Sequence, residues 1–303
     1  MIRPPKEERT KYDVDYAPDT AFSAYARLLQ SKWRDKKQLP FVSYGNFLPA
    51  AFARQDKSNF LTEKIRTLVQ YELYRKGIFG KLIKEDRIWE NLLSSQPLCF
   101  NLFGELHFDH KLATKYFRKL FPKEIETVTD VLFEHSPGRG DIKFTGDHSA
   151  FDVFIEYTRG ETKGFIGIEV KYAESLKEET EKTAAATYSK HHNEYKRLTT
   201  SDIFKPNAIE TLKKTPLSQI WRDHLLSIAT KTIYDEGFFV FLFPSKNEQC
   251  QKGIDEYKKY LVSDNEKQTG FYPRHLEEFV DELIEVISTN WTKELKERYI
   301  GNE

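Results

Sequence analysis

Asp152, Glu169 and Lys171 are the residues whose types and spacing can do chemistry. Two carboxylates held roughly 5 Å apart repel by about 3 kcal/mol at an effective dielectric near 20. A chain gains nothing from placing them so unless a cation lies between them. Mg²⁺ suits such a pair: it is a hard ion that takes one or two carboxylates and fills its shell with water and substrate phosphate. Lys171, two residues beyond Glu169, adds an ammonium. A lone Glu-x-Lys on a strand usually faces water, so the pattern acquires meaning only from the elements that carry it.

Those elements read as a β-hairpin. Phe151–Tyr157 and Phe165–Tyr172 alternate strictly around Arg159-Gly-Glu-Thr-Lys163. On the second strand Phe165, Gly167, Glu169 and Lys171 share one face, and Ile166, Ile168, Val170 and Tyr172 the other. On the first, Phe151, Val153, Ile155 and Tyr157 share a face, opposite Asp152, Phe154 and Glu156. Burying the two apolar faces together fixes the register. Phe151 then pairs with Val170, Val153 with Ile168 and Ile155 with Ile166, around a Gly160-Glu161 turn of type II′. The same register sets Asp152 opposite Glu169 and puts Lys171 on the same face.

The rest of the chain must position this hairpin. Residues 1–19 are polar and read as loose. Helical spacing covers about Thr20–Lys37, Asn59–Arg75 with Gly77 as a stop, Glu85–Leu93 and Leu98–Leu120. Asn46–Pro49 reads as a loop. A strand spans about Glu126–Glu134, broken by Ser136-Pro-Gly-Arg-Gly140. After the hairpin come a long polar helix (Leu176–Leu198), a helix (Pro216–Tyr234) and a buried strand (Phe238–Phe243). Two helices, Glu248–Tyr260 and Arg274–Arg298, close the chain. This order predicts an α/β fold with a mixed central sheet flanked by helices. Residues 1–93 would form an N-terminal helical region and 94–303 the sheet domain with its C-terminal helices.

Composition sets limits. Aromatics at 14% of 303 residues exclude a disordered chain. Cys99 and Cys250 are too few for a disulfide framework or a four-cysteine zinc site, and they suit a reducing cytoplasm. No apolar run is long enough to span a bilayer, and the N-terminus lacks the apolar core of a signal peptide, so no membrane partner is expected. Net charge is zero, with +6 in residues 1–100 and −6 in the remainder. The basic side can face a polyanion and the acidic side can hold metal, although ordinary scatter gives the same numbers.

Other residues with chemical potential read as ordinary structure. His191-His192 are adjacent on a helix and point about 100° apart, which suits a solvated face. His107, Asp109 and His110 match no standard zinc spacing. Trp33, Trp89, Trp221 and Trp291 sit at helical apolar positions and read as core.

Ala150-Phe-Asp-Val-Phe-Ile155 and Gly167-Ile-Glu-Val-Lys-Tyr172 resemble the signature of the PD-(D/E)XK nuclease superfamily, the restriction-endonuclease-like fold. Ser94-Ser-Gln96, Asn101-Leu-Phe-Gly104, Phe133-Glu-His-Ser-Pro-Gly-Arg139 and Gln219-x-Trp-Arg-x-His-Leu-Leu226 resemble one bacterial group of restriction endonucleases within it. The resemblance spans about residues 94–243. It implies a Mg²⁺-dependent DNA endonuclease, with Mn²⁺ as a substitute, acting in restriction or anti-phage defence, either as a homodimer or with a defence partner protein. Asp152, Glu169 and the Val170 backbone carbonyl would bind the ion, and Lys171 would orient and help deprotonate the attacking water. Phe151 stands where the family signature has Pro. A further acid is implied on the helix before the first strand or at that strand's end. Glu105 and Glu134 are the candidates, with Glu72 a weaker third. Gln219, Arg222 and Arg139 are candidate phosphate contacts. The alternatives are an inactive nuclease-like scaffold that binds nucleic acid or a defence partner, and a nuclease directed at RNA.

Overall fold

A computed structural model describes residues 1–176 and 179–301. Among them the chain forms a five-stranded mixed sheet in the order β1-β2-β3-β4-β5. The strands are β1 (Thr127–His135), β2 (Phe151–Arg159), β3 (Thr162–Val170), β4 (Glu236–Phe243) and β5 (Phe271–His275). β1, β2 and β3 are antiparallel neighbours, whereas β4 and β5 add parallel to β3. The expected α/β architecture with a mixed central sheet is the one observed.

Helices cover both faces. On one face α2 (Ala21–Lys36), α4 (Glu63–Phe79), α6 (Ser95–Phe108), α7 (His110–Leu120), α13 (Leu276–Val286) and α14 (Asn290–Tyr299) pack over Val153, Ile155, Ile166 and Ile168. This layer draws on residues from both sides of position 93, including Phe22, Leu68, Phe103 and Leu295. On the other face α8 (Glu181–Leu198), α10 (Ser218–Thr230) and α11 (Glu248–Lys258) cover Phe154, Phe165, Phe239 and Phe241. Shorter helices are α1 (Lys6–Lys11), α3 (Ala50–Asp56), α5 (Glu85–Glu90), α9 (Ile209–Leu212) and α12 (Glu266–Thr269). No helix among the described residues is long and apolar enough to cross a membrane.

The hairpin register is the expected one from Val153 to Arg159, but the ladder stops short of the expected Phe151–Val170 and Asp152–Glu169 pairs, and Val170 N donates to the Asp152 side chain instead. Val153 pairs with Ile168 and Ile155 with Ile166, and the ladder runs to Arg159 and Thr162 around Gly160, whose φ of 59° suits the first position of a II′ turn. One facial assignment changes. The Phe151 ring crosses to the Phe154–Phe165 side, because Gly167 leaves a hollow there. A β-carbon on Gly167 would lie 2.4 Å from Phe151 Cε1.

Other boundaries differ for identifiable reasons. The helix expected over Leu98–Leu120 is two helices. Asp109 breaks it with φ −135° and caps the second, accepting from Leu112 N at 2.9 Å. α4 runs through Gly77 and stops at Gly80, which takes the left-handed conformation. The region expected as one helix over Arg274–Arg298 begins as β5 and then forms α13 and α14, parted at Ile287–Thr289. The polar N-terminal stretch contains α1 and is tied down by Arg3, which donates to Tyr16 O at 2.7 Å and Asp19 O at 2.9 Å. The helix expected from Leu176 begins at Glu181; residues 177 and 178 lie outside the described residues.

Candidate active site

The carboxylates emerge where the sheet's Phe154–Phe165 face runs out of aromatic cover. β3 sends Glu169 and Lys171 to that side by simple alternation. Backbone pairing continues past the strand's end, since Lys171 N donates to Leu242 O at 2.8 Å. Both side chains are buried, at 5% and 9% exposure. Asp152, on β2, accepts at Oδ2 from Val170 N at 2.8 Å, which fixes its carboxylate beside the strand that carries the other two.

Gln219 of α10 closes the cluster. Its Nε2 donates to Glu169 Oε1 at 2.7 Å, and its Oε1 accepts from Lys171 Nζ at 3.0 Å. Lys171 Nζ also lies 2.9 Å from Glu169 Oε1. Burial works against the Lys171 charge, but the Glu169 and Asp152 carboxylates outweigh it and raise its pKa. Asp152 is pushed well above the usual carboxylate range by burial, reinforced by Glu169 and Glu134.

Glu134 joins from β1. Its φ of 46° is a left-handed value that few non-glycine residues adopt. The neighbouring pairs Phe133↔Val153 and His135↔Phe151 hold the strand around it in place. Its Oε1 accepts from Gln96 Nε2 at 3.1 Å. Burial lifts the Glu134 carboxyl to about 7; the Gln96 hydrogen bond opposes the rise and the Glu169 charge adds to it. Glu134, Asp152, Glu169, Gln219, Arg222 and Asp223 all line one cleft of about 620 Å³.

Glu105 is elsewhere. It accepts from Thr62 Oγ1 at 2.5 Å and pairs with Lys64 at 3.4 Å, so it fastens α6 to the start of α4. Glu72 is buried in an ion pair with Lys81. Arg222 lines the cleft but is engaged by Glu179 at 2.9 Å. Arg139 turns inward, donating to Glu134 O at 3.3 Å and His148 O at 3.1 Å, and so braces the loop between β1 and β2.

Several cleft residues had no expected part in the site, among them Gln96, Asp223 and His191. Gln96 stands at the start of α6 and reaches Glu134. Asp223 is buried on the cleft wall, its Oδ2 without a hydrogen-bond partner among the described residues. His191, expected on a solvated face, is half-buried and lines the cleft, whereas His192 is exposed. Asp147 also reaches the cleft, but Thr145, Ser149 and Tyr195 saturate its carboxylate. The readings of His107 and the tryptophans as structure hold: His107 Nδ1 bonds Val131 O at 2.7 Å, and Trp33, Trp89, Trp221 and Trp291 are buried.

The donor chemistry fits a hard divalent cation. Asp152 Oδ1 and Glu169 Oε2 have no hydrogen-bond partner among the described residues, and both carboxylates belong to groups whose negative charges are mutually unfavourable. Among the described residues no three His, Cys, Asp or Glu side chains converge into a ready-made metal cage. That is compatible with Mg²⁺, which keeps several waters and is bound through one or two carboxylates.

No curated protein and no solved structure is a significant match to the chain. The family model of the PD-(D/E)XK nuclease superfamily matches residues 17–301, nearly the whole chain. With a mixed sheet that brings Asp152 together with a Glu-x-Lys on the adjoining strand, the match leaves one assignment: the chain belongs to the PD-(D/E)XK nuclease superfamily.

Proposed function

We propose that this protein is a Mg²⁺-dependent DNA endonuclease that hydrolyses phosphodiester bonds in restriction or anti-phage defence. The observation that carries the reading is the buried Asp152–Glu169–Lys171 cluster, whose two carboxylates line an open cleft while Lys171 sits behind them, paired with Glu169. Asp152 Oδ1, Glu169 Oε2 and the Val170 carbonyl would hold the ion. When bound, the ion would lower the pKa of a water and neutralise charge on the phosphate.

The chain's own groups do the rest. Lys171 is held charged by Glu169 and fixed by Gln219, so it donates to the attacking water or the phosphate from a set position. Glu134, with a carboxyl near neutrality, is placed to accept or return a proton at the cleft wall. Arg222 and Gln219 face the same space and would meet the phosphate backbone, Arg222 once released from Glu179. Neutral net charge favours recognition by a dimer or a defence partner over strong binding by the chain alone.

The deciding experiment is plasmid cleavage with Mg²⁺ or Mn²⁺ against EDTA, with RNA alongside. Asp152→Ala and Lys171→Ala should each abolish cleavage while keeping the fold by circular dichroism, with a lower Tm in Lys171→Ala because Glu169 loses its buried cation. Undiminished cleavage in either variant contradicts the roles assigned. A wild type that cleaves neither substrate with either metal supports the inactive-scaffold alternative.

A further inference from the structure

The C-terminal half of α4 and the segment that follows it carry an unusual surface. Tyr71, Tyr74, Ile78, Phe79 and Leu82 are all exposed, Tyr74 to 74%. Soluble proteins scatter such side chains singly, and a contiguous patch marks a binding surface. The rows follow helical spacing: Tyr71, Arg75 and Phe79 lie one turn apart, and so do Tyr74 and Ile78. Arg75 stacks between its two neighbours, 5.2 Å from the Tyr71 ring centroid and 4.8 Å from that of Phe79.

Within the ring-bearing stretch the charge has one sign, with Lys81 buried and the exposed Glu85 and Asp86 following directly after it. Leu73–Lys84 contains Arg75, Lys76, Lys81 and Lys84 and no acidic residue. Glu72, just before it, is buried and paired with Lys81 and Arg75. The surface also runs into the candidate active site, since Leu82, Lys84 and Arg87 line the same cleft as Glu134 and Asp152. Lys81 fastens it there, donating to Phe133 O at 2.7 Å, one residue from Glu134.

We infer that this surface is a stacking platform for unpaired bases of a nucleic-acid strand whose backbone enters the cleft. The inference rests on the nuclease reading and names its substrate class: nucleic acid with single-stranded character. Exposed rings offer π-faces that any unstacked base can use, and interleaved Arg and Lys follow the phosphates. In a continuous duplex the base faces are already stacked and cannot engage the rings. Protein interfaces are enriched in aromatics and Arg but depleted in Lys, so Lys76 and Lys84 beside the rings favour a polyanion.

The test is equilibrium binding by fluorescence anisotropy in EDTA, where no cleavage is needed. The probes are a short single-stranded oligonucleotide and its blunt duplex. Wild type should prefer the single strand. Tyr74→Ala/Phe79→Ala should weaken single-strand binding at least about tenfold, leave duplex binding nearly unchanged and keep the Tm, because both side chains are exposed. Tyr74→Phe/Phe79→Tyr should restore single-strand binding. Equal single-strand affinity in wild type and the alanine variant, no preference for the single strand, or a wild-type dimer in sedimentation that the alanine variant dissolves would each overturn the inference. The two readings separate cleanly. Single-strand binding that depends on Tyr74 and Phe79 in a protein that never cleaves sinks the endonuclease and leaves the platform; metal-dependent cleavage with single-strand binding unmoved by the alanine variant does the reverse.

Discussion

Gln219 Nε2 lies 2.7 Å from Glu169 Oε1, so an amide from a helix fifty residues downstream fixes the orientation of a carboxylate on the central sheet. The same amide accepts from Lys171, so both its donor and its acceptor end are committed to the cluster. Gln219→Ala should therefore lower kcat about 10–100-fold with little change in Tm. Gln219→Glu should do at least as much harm, since it sets a third negative charge against Glu169. Single-turnover cleavage with thermal melts checks both, and a Gln219→Ala enzyme with wild-type kcat would remove the positioning role.

Glu134 and Glu105 make opposite predictions. Glu134→Gln removes a cleft carboxylate and should reduce metal-dependent cleavage about 10–100-fold. Glu105→Gln should leave cleavage within about twofold, because Glu105 is engaged by Thr62 and Lys64 away from the cleft. Titrating Mg²⁺ for each variant discriminates: the metal requirement should rise for Glu134→Gln alone.

Gly167 and Phe151 occupy each other's space. A methyl group at position 167 would sit 2.4 Å from the ring carbon, so Gly167→Ala should cost about 1–3 kcal/mol in urea denaturation. Phe151→Leu/Gly167→Ala should recover part of that loss. Full stability in the single variant would mean that the ring can move aside.

Acid should weaken the fold through His224. Burial pushes this imidazole down to about 3, and it stays neutral between Tyr257 OH at 2.9 Å and Thr269 O at 2.8 Å. Its unfolded pKa is about 6.5, so between these values the unfolded chain binds the extra proton. The contribution is complete above about pH 6.5 and is lost progressively as pH falls toward 3. The urea stability of wild type minus that of His224→Gln should shrink over this range. A difference that stays constant with pH would contradict a neutral buried imidazole.

What could be read from sequence followed from period. The hairpin register, with Ile155 against Ile166, is dictated by strict alternation and a two-residue turn, so Asp152, Glu169 and Lys171 came together as expected. Glu134 was less legible, because its approach to the cleft accompanies a backbone φ of 46° that no residue pattern announces. Gln96, His191 and Asp223 reach the cleft from three separate helices, and only tertiary packing brings them together. β5 escaped notice because it is five residues long and contains Pro273, which argues against a strand. Asp109 was a missed signal of another kind: a good N-cap residue stood in the middle of an apparently continuous helical pattern.

Helical layers on both faces of β2, β3 and β4 have a kinetic consequence. Amides there, Lys171 N included, are shielded on both sides and should exchange with solvent deuterium only when the whole molecule opens. The Asp152, Glu169 and Lys171 cluster is thus anchored in the slowest-opening part of the molecule. Accommodation of differently shaped ligands falls instead to the periphery, where the exposed end of α4 should exchange orders of magnitude faster.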